Sequence, residues 1–325
     1  VPDDRLQKLS DFSVSLKTVP AAVEFTDIAG LVKGASEGEG LGNQFLSHIR
    51  ETDAIAQVVR IFEDDNIIHV DGKIDPLHDI DIINFELILA DMQTVTKRKH
   101  SLGKDVKAGK KEAVIEMGLV EKLLSALEAG KLASTVEVNE FEEPFLKLLC
   151  LITTKPFLYV LNKKAGAKNL DESRDVGSLD KRWEKLIEFF DKNKAKHVIV
   201  DAGIEQELKD LTELDKREMR DGLGAHDDGT NELIKKGYEL LGLITYFTTG
   251  QDETRAWTIK KGWTAPLAGT AIHTDFKDKF VRAEVIGWKE LLDAGSYAAA
   301  REKGLVRTEG KEYVVKDGDV IEFKI

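Results

Sequence analysis

The chain has 325 residues, 42% of them hydrophobic, and a formal net charge of −12 at pH 7. This length allows two or three domains with sizeable cores, and no apolar run is long enough to predict a membrane span. The single cysteine, Cys150, excludes an internal disulfide framework and fits a reducing cytoplasm, and its apolar neighbours predict a buried side chain. The acidic balance argues against indiscriminate nucleic-acid binding but leaves local basic patches open.

The first predicted strand, Ala22–Ile28, leads into a glycine-rich stretch with the sequence EFTDIAGLVKGASEGEGLGNQF over 24–45. It contains Asp27-x-x-Gly30, a pattern typical of the segment with which nucleotide hydrolases sense the γ-phosphate. The pattern is short and occurs again at Asp221, in a polar stretch rich in helix breakers. The strand-like approach and the glycines that follow favour the first match as a nucleotide contact.

Three further strand-like runs alternate with helical patterns along the chain. The runs are Ile55–Phe62, Phe157–Leu161 and Val198–Val200, and Asp180–Lys192 has the apolar spacing of a helix. Strands that alternate with helices are typical of an α/β fold. We therefore expect a mostly parallel sheet.

Residues Asn84–Gly130 interrupt that alternation. They predict two helices joined by a polar turn near Ser101–Gly109, because the flanking stretches have helical periodicity. The second helix has apolar residues at the spacing of an antiparallel coiled-coil seam, namely Met117, Val120, Leu124 and Leu127. The sequence therefore predicts a helical arm.

The predicted tip of this arm is strongly basic. Seven basic residues and one acidic residue, Asp105, give the stretch 97–111 a net charge of +6. The basic residues are Lys97, Arg98, Lys99, Lys104, Lys107, Lys110 and Lys111. Such a patch in an acidic chain is a candidate contact for a polyanion such as RNA. A solvated hairpin end without a partner is an equally open interpretation.

The last eighty residues predict a separate, smaller α+β domain, because short strands and turns replace the earlier pattern. Strands are predicted at Ala256–Ile259, Val281–Ile286, Tyr313–Val315 and Val320–Phe323, with a helix at Leu291–Glu302 and a tight turn at Lys316–Asp319. Residues 245–325 include 13 basic and 13 acidic side chains. All the net negative charge therefore lies upstream of this domain.

Three long segments and the C-terminal end carry a family resemblance. The segments are DIAGLVKGASEGEGLGNQFLSHIRETDAI (27–55), FEDDNIIHVDGKIDPLHDIDIINFEL (62–87) and RAWTIKKGWTAPLAGTAIHTDFKDKFVRAEVI (255–286), and the end is EGKEYVVKDGDVIEFKI. Together they resemble the YchF/Obg-like ATPase family over essentially the whole chain. The resemblance implies an α/β, P-loop nucleotidase-type domain with a mostly parallel sheet, an inserted helical coiled-coil arm and a C-terminal β-grasp (TGS) domain.

The resemblance also implies where these parts lie. We expect the nucleotidase domain over 1–83 and 151–244, the arm over 84–150 and the TGS domain over 245–325. The phosphate-binding pattern Gly-x-x-x-x-Gly-Lys-[Ser/Thr] does not occur in these 325 residues. In the family it lies upstream of the position that corresponds to Val1. We therefore expect an N-terminally incomplete nucleotidase domain and poor binding of ATP or GTP by this stretch alone.

Roles around the glycine-rich stretch follow from the resemblance as well. Asp27 would hold Mg²⁺ through a water molecule, and the N–H of Gly30 would contact the γ-phosphate. Leu31 stands where many GTPases have a glutamine that orients the attacking water. Leucine cannot orient water, so slow hydrolysis is expected. His48 is an alternative base, although a histidine on a helix surface or in the core is the more ordinary interpretation.

The base-recognition stretch would follow the strand that ends at Leu161. GTPases have Asn-Lys-x-Asp there, and the carboxylate accepts hydrogen bonds from guanine, whereas Obg-like ATPases have Asn-x-x-Glu. This chain has NKKA, in which Asn162 and Lys163 fit and Ala165 replaces the carboxylate. Asp171 or Glu172 could supply an acid from the following loop.

A second base-contact loop would follow Val198–Val200. It consists of Asp201, Ala202 and Gly203, where the family has Ser or Cys in place of Asp201. Ala202 and Gly203 could still contact the base through the backbone. Because position 165 offers no acceptor for guanine, ATP is expected to bind at least as well as GTP.

The implied function is a ribosome-associated ATPase or GTPase that uses Mg²⁺ and acts as a slow regulatory switch in translation or the stress response. We expect a cytoplasmic monomer without membrane contact. The ribosome or its RNA would meet the seven basic residues of the tip and, in the last domain, Arg255, Lys260 and Lys261. An alternative stays open, namely a non-enzymatic RNA- or ribosome-binding adaptor with a degenerate nucleotidase domain.

Overall fold

A computed structural model describes residues 1–28, 41–64, 74–172, 180–222 and 229–325. The chain forms two compact units, one of Val1–Phe25 with Asn231–Ile325 and the other of Thr26–Thr230. Each unit has its own sheet and its own apolar core.

The strands are β1 (Thr18–Val19), β2 (Ile55–Arg60), β3 (Phe62–Glu63), β4 (Phe157–Lys163), β5 (Lys168–Asn169), β6 (Lys196–Asp201), β7 (Leu243–Thr249), β8 (Thr254–Lys260), β9 (Arg282–Gly287), β10 (Arg307–Glu309) and β11 (Asp319–Lys324). The helices are α1 (Asp4–Ser13), α2 (Leu41–Glu51), α3 (Pro76–Lys107), α4 (Lys111–Glu128), α5 (Glu143–Leu149), α6 (Lys181–Asn193), α7 (Ala202–Leu208), α8 (Glu213–Gly222), α9 (Gly229–Leu241), α10 (Ala265–Gly269), α11 (Asp275–Lys279), α12 (Trp288–Ala294) and α13 (Tyr297–Glu302). Two short 3-10 helices lie at Ala133–Thr135 and Ile152–Thr154.

The unit Thr26–Thr230 is built on a parallel three-stranded sheet in the order β2-β4-β6. Its strands correspond to the three predicted runs, although β2 ends at Arg60 and Phe62 of the first run belongs to β3. Ile55 pairs with Phe157 at the start of β2 and β4. The helix predicted from Asp180 is α6, whose Leu186 and Phe190 are buried in the same core as β4. Strands rich in valine, leucine and isoleucine suit a sheet that is covered by helices. The predicted α/β class with a mostly parallel sheet is confirmed.

The predicted arm is a hairpin of α3 and α4. Asp75 caps α3 by accepting a hydrogen bond from the N–H of His78, and the helix then continues for 32 residues to Lys107. The turn comprises only residues 108–110, with Gly109 in the left-handed conformation that glycine adopts readily. The polar turn predicted near Ser101–Gly109 therefore begins later than expected, because polarity alone does not end a helix.

The apolar residues of the arm pack between its two helices. All four predicted seam residues of α4 lie in this core, and Val120 and Leu127 are fully buried. Leu119 and Leu123 are buried as well. The apolar stripe of α4 is therefore wider than a strict coiled-coil seam, since the chain at 132–151 also packs against it.

The predicted strand Ala22–Ile28 is wrong. This segment has no regular secondary structure, and most of its side chains are exposed. Among the described residues none forms a β-ladder with it. Strand formation needs a neighbour that takes up the backbone hydrogen bonds, and β-branched and aromatic composition cannot supply one.

The unit of Val1–Phe25 with Asn231–Ile325 has a mixed six-stranded sheet in the order β1-β8-β7-β11-β9-β10. β7 and β8 form an antiparallel hairpin, and β11 lies between β7 and β9. Helix α1 packs on this unit's core through Leu6 and Leu9. The predicted turn at Lys316–Asp319 is present, with Gly318 in the left-handed region.

Two predicted elements near the C-terminus differ from the structure. The single helix Leu291–Glu302 is two helices, α12 and α13, because Gly295 takes a left-handed conformation and Ser296 caps the second helix. The strand Tyr313–Val315 is reduced to an isolated bridge between Val314 and Thr264. Both differences reflect local backbone geometry that apolar spacing does not encode.

The two units divide the chain after Phe25 and after Thr230. The N-terminal residues lie with the C-terminal ones because β1 pairs with β8, Thr18 opposite Thr254. α1 also shares a core with Phe247 of β7. A strand of two residues gives almost no sequence signal, so this association could not be predicted from the pattern.

Candidate functional site

The two predicted base-contact loops lie side by side. β4 and β6 are parallel neighbours, and Lys163 at the end of β4 pairs with Asp201 at the end of β6. The loops that leave these ends therefore meet at the carboxyl edge of the sheet, which is where ligands bind in open α/β folds. The structure thus brings together four predicted site residues, Asn162, Lys163, Ala202 and Gly203.

Two reciprocal hydrogen bonds join these loops. The Ala202 N–H donates to Asn162 Oδ1 at 3.1 Å, and the Ala165 N–H donates to Asp201 Oδ2 at 2.6 Å. Each side chain therefore takes a backbone N–H of the other loop. Such bonds fix the two loops relative to each other and leave Asn162 Nδ2 without a hydrogen bond to any described residue.

Asp201 is a structural residue of this edge. It is 9% exposed, and its Oδ1 also accepts from the N–H groups of Gly203 and Ile204, which caps the N-terminus of α7. Aspartate is a strong N-cap because its oxygens satisfy N–H groups that a helix leaves unpaired. The sequence analysis treated Asp201 only as a departure from the family pattern, whereas an aspartate immediately before a helical segment is the signal for a cap.

Asn169 closes the first loop from within, a role that the sequence analysis missed. Its Oδ1 accepts from the Lys164 N–H, and its Nδ2 donates to the Lys164 carbonyl and to Glu172 Oε1, all at 3.0 Å. Asn169 is buried. Glu172, one of the two acids that could replace a carboxylate at position 165, is therefore engaged in holding the loop.

The γ-phosphate segment is described only in part. Asp27 is exposed, and the next residue, Ile28, packs against the core that α2 and α3 share. Gly30 and Leu31 lie outside the described residues. His48 is exposed on the surface of α2, which is the ordinary alternative to a catalytic base.

Ion pairs divide the basic residues of the arm tip into two groups. Arg98 donates to both carboxylate oxygens of buried Glu116 at 2.6 and 2.7 Å, and this hydrogen bonding raises the pKa of its guanidinium. Two further cations have acidic partners, Lys99 with Glu121 and Lys110 with Asp105. The cations exposed without a recorded partner in the described chain are Lys97, Lys104, Lys107 and Lys111.

In the other unit, the three predicted contacts with RNA also differ in environment. Arg255 is half-buried, stacks on the ring of Trp257 at 4.8 Å and pairs with Glu253 at 2.8 Å. Its cation is therefore largely neutralised. Lys260 and Lys261 are exposed at the end of β8.

Cys150 is exposed, so the prediction of a buried cysteine is wrong. It ends α5 in a left-handed conformation (φ 46°), and this reversal turns the side chain out of the apolar run while Leu149 and Leu151 remain buried. No group of three or more histidine, cysteine, aspartate or glutamate side chains that could hold a metal ion occurs in the described ranges. Among the same residues, no helix is long and apolar enough to span a membrane.

A parallel sheet with two tied loops at its carboxyl edge defines the class as an open α/β protein with a ligand-binding edge. The family model YchF-GTPase_C, described as "Protein of unknown function (DUF933)", matches residues 243–325. The chain is similar to "Ribosome-binding ATPase YchF" of Bacillus subtilis (strain 168), with 51% identity over 324 residues that cover 100% of this chain and 87% of the relative. The protein of the same name from Escherichia coli O157:H7 is 42% identical over 327 residues, 99% of this chain and 86% of its own.

A solved structure agrees with these sequence relatives. "Structure of the Schizosaccharomyces pombe YchF GTPase" matches with a TM-score of 0.82 and 37% identity, covering 100% of this chain and 86% of that one. The chain belongs to the YchF family, and the family resemblance predicted from the sequence is confirmed.

Proposed function

We propose that this protein is a ribosome-binding nucleotide hydrolase that accepts ATP at least as readily as GTP. The observation that carries the base assignment is the pair of reciprocal bonds, Asn162 with Ala202 and Asp201 with Ala165, at the carboxyl edge of the sheet. The names of the bacterial relatives, which describe ribosome-binding ATPases, support hydrolysis and ribosome binding. In this proposal the protein is a cytoplasmic monomer that acts as a slow switch in translation or the stress response.

Recognition of the base would rest on Asn162. Because its Oδ1 accepts from Ala202, its amide is oriented so that Nδ2 is available as a donor to N7, an acceptor that both purines have. Lys163, Ala202 and Gly203 flank that position. Ala165 offers no carboxylate to the N–H donors of guanine, and Asp201 already accepts three backbone hydrogen bonds. Guanine would therefore gain nothing over adenine at this edge.

Hydrolysis would take place at the segment that begins with Asp27. Its exposed carboxylate has the oxygen chemistry that Mg²⁺ prefers, and it would hold the ion through a water molecule. When bound, Mg²⁺ supplies positive charge to the phosphate oxygens. Gly30 would donate its N–H to the γ-phosphate, and Leu31 cannot orient water, so turnover would be slow.

The base assignment can be tested by competition binding of ATP and GTP to the full-length protein. We expect ATP to compete at least as well as GTP, and Asn162→Ala to weaken both about tenfold, because a hydrogen bond to a buried polar group is lost. Asn193→Ala, an exposed asparagine at the end of α6, is the control. A tenfold preference for GTP would contradict the proposal, and binding of neither nucleotide would favour the adaptor.

The ribosome contact would use the arm tip. Lys97, Lys104 and Lys107 are exposed on α3. Lys104 follows Lys97 by seven residues and Lys107 follows Lys104 by three, so they share one face of the helix over about 15 Å. Such a row of unpaired cations can contact successive phosphates and release counterions. In the other unit, Lys260 and Lys261 would add to this contact, and Arg255 would position Trp257 more than bind phosphate.

Charge reversal at the tip tests this contact. The triple variant Lys97→Glu, Lys104→Glu, Lys107→Glu should reduce co-sedimentation with ribosomes and flatten its salt dependence without changing nucleotide affinity. The matched control is Lys181→Glu, Lys185→Glu, Lys192→Glu on α6, which changes the net charge equally. Equal loss in both variants would mean that overall charge decides, and no loss in the tip variant would refute the contact.

A further inference from the structure

The connection from α4 to β4 carries two of the most exposed large apolar side chains of the described chain. Phe141 is 65% exposed and Leu148 is 77% exposed. Phe145 lies between them and is half-buried in the arm core. Phe145 and Leu148 lie three residues apart on one face of α5, and Phe141 lies in the turn that leads into α5, which is closed by hydrogen bonds from the N–H groups of Glu142 and Glu143 to the Asn139 carbonyl. These three side chains are here called the apolar ridge.

The ridge is held in a fixed orientation. Asn139 Oδ1 accepts from the N–H groups of Phe141 and Glu142 at 2.9 and 3.1 Å, which fixes the turn before α5. The carboxylate of Glu142 accepts from Lys122 of α4 at 2.8 and 3.0 Å, and Leu149 is buried at the other end. Because these contacts already order the segment, a partner would bind it without a large ordering cost.

The surroundings of the ridge are acidic. Residues 131–148 contain four glutamates and two lysines, Lys131 and Lys147. Glu142 pairs with Lys122 and Glu143 pairs with Lys147, while Glu137 and Glu140 are exposed and have no ion pair in the part of the chain described. An acidic rim repels phosphate, so RNA and anionic lipid do not suit this surface.

We propose that the apolar ridge and its acidic rim dock a basic segment of a ribosomal protein that carries at least one large apolar side chain. The proposal rests on ribosome binding as proposed above and adds a second, chemically different contact on the same arm. An aromatic and an aliphatic side chain at the centre with charges around them is the anatomy of a protein interface. Complementary charge at the rim selects a basic partner and excludes nucleic acid.

Site-specific photocrosslinking on purified ribosomes identifies the occupant. A benzophenone amino acid replaces Phe141 in the full protein, and the expected product is an adduct with a ribosomal protein. The control carries the same probe at Leu16, which is 87% exposed in the other unit, and should give little or no adduct. Adducts with ribosomal RNA alone, or with a second copy of this chain, would overturn the proposal.

A pair of double variants tests the contribution to binding. Phe141→Ser with Leu148→Ser should weaken ribosome co-sedimentation about tenfold, the scale of a central interface residue. Leu16→Ser with Val281→Ser removes two exposed apolar side chains elsewhere, 87% and 60% exposed, and should leave binding unchanged. Circular dichroism and hydrogen exchange verify that the arm remains folded.

The outcomes separate the two proposals. If the wild type co-sediments and the ridge variant does so equally well, the ridge is not an interface, while ribosome binding stands. If Glu137→Lys with Glu140→Lys strengthens binding, the rim does not select a basic partner and the proposal fails. If the wild type itself does not co-sediment, both the proposed function and the ridge contact are refuted.

Discussion

The base and the tip of the arm use charged residues in opposite ways, although both lie on the same helix, α3. At the base, Asp91 is fully buried and accepts hydrogen bonds from the N–H groups of Ile152 and Thr153 and from the Thr153 hydroxyl. At the tip, Lys104 and Lys107 are exposed. A buried charge with full hydrogen bonding holds a structure together, whereas an exposed unpaired charge is available to a partner.

The base also ties the arm to the helix that follows the glycine-rich segment. Arg50 of α2 donates to the Cys150 carbonyl at 2.8 Å and to Thr94 at 2.9 Å, and its guanidinium lies 3.7 Å from Asp91. Lys155 donates to the carbonyls of Arg50 and Thr52 at the end of α2. Side-chain charge at the base therefore serves the fold, whereas the exposed lysines of the tip remain available for the proposed contact.

Removal of the buried carboxylate should have the largest effect on stability. Asp91→Ala leaves three donors without an acceptor and Arg50 without its counter-charge, so we expect a loss of about 3–4 kcal/mol in the free energy of unfolding. Urea unfolding together with hydrogen exchange at residues 150–155 measures it. Asp105→Ala, on the same helix and in an exposed pair with Lys110 of the turn, should cost less than about 0.5 kcal/mol. Equal losses in the free energy of unfolding for the two variants would contradict the contrast between base and tip.

The pair of Arg98 with Glu116 lies between these extremes and should have an intermediate effect. Glu116 is buried and Arg98 is about half-exposed, so Arg98→Ala leaves a buried carboxylate unpaired and should cost about 2 kcal/mol. A double-mutant cycle with Glu116→Gln isolates the coupling between the two side chains. A coupling near zero would mean that Glu116 does not hold Arg98, and Arg98 would then count among the cations available to RNA.

The pH dependence of the arm should depend on Glu142. Hydrogen bonds from Lys122, which outweigh the effect of burial, hold the pKa of Glu142 below its ordinary value of 4.5. A carboxyl whose pKa is lowered by folding stabilises the folded state above its unfolded pKa and loses that contribution as the pH falls through the folded value. Glu142→Gln should therefore be less stable than wild type at pH 7, and the difference should shrink below pH 4.5. An unchanged difference at pH 3 would contradict this assignment.

Neutralisation of the tip should have the smallest effect on stability. Lys97→Gln, Lys104→Gln, Lys107→Gln should change the free energy of unfolding by no more than about 0.5 kcal/mol, because these cations are solvated and contact one another only weakly. Thermal unfolding at two salt concentrations measures this. A large loss would mean that the tip lysines hold the hairpin together, and the contrast with Asp91 would then be wrong.

Sequence reasoning performed best where the signal was long and periodic. α6 and the hairpin of α3 and α4 follow from apolar spacing over long segments, and the parallel strands follow from short apolar runs that alternate with helices. The prediction of a strand at Ala22–Ile28 was wrong because a strand needs a neighbouring strand to pair with, and the fold, not the local sequence, decides whether one is there. The basic residues of the tip were predicted as one group, since the sequence does not reveal which of them have a carboxylate of α4 opposite, as Arg98 has Glu116.

The sequence by itself determined the family, the α/β class, the helical arm and the positions of Asn162 and Ala202 at the ends of two strands. Only the tertiary structure decided that Asp201 closes on Ala165, that Asn169 and Glu172 hold the first loop, and that Cys150 is exposed. The physical reason is the separation along the chain over which each interaction acts. Periodicity and capping act within a few residues, whereas hydrogen bonds between Asp201 and Ala165 join groups 36 residues apart and exist only once the sheet has formed.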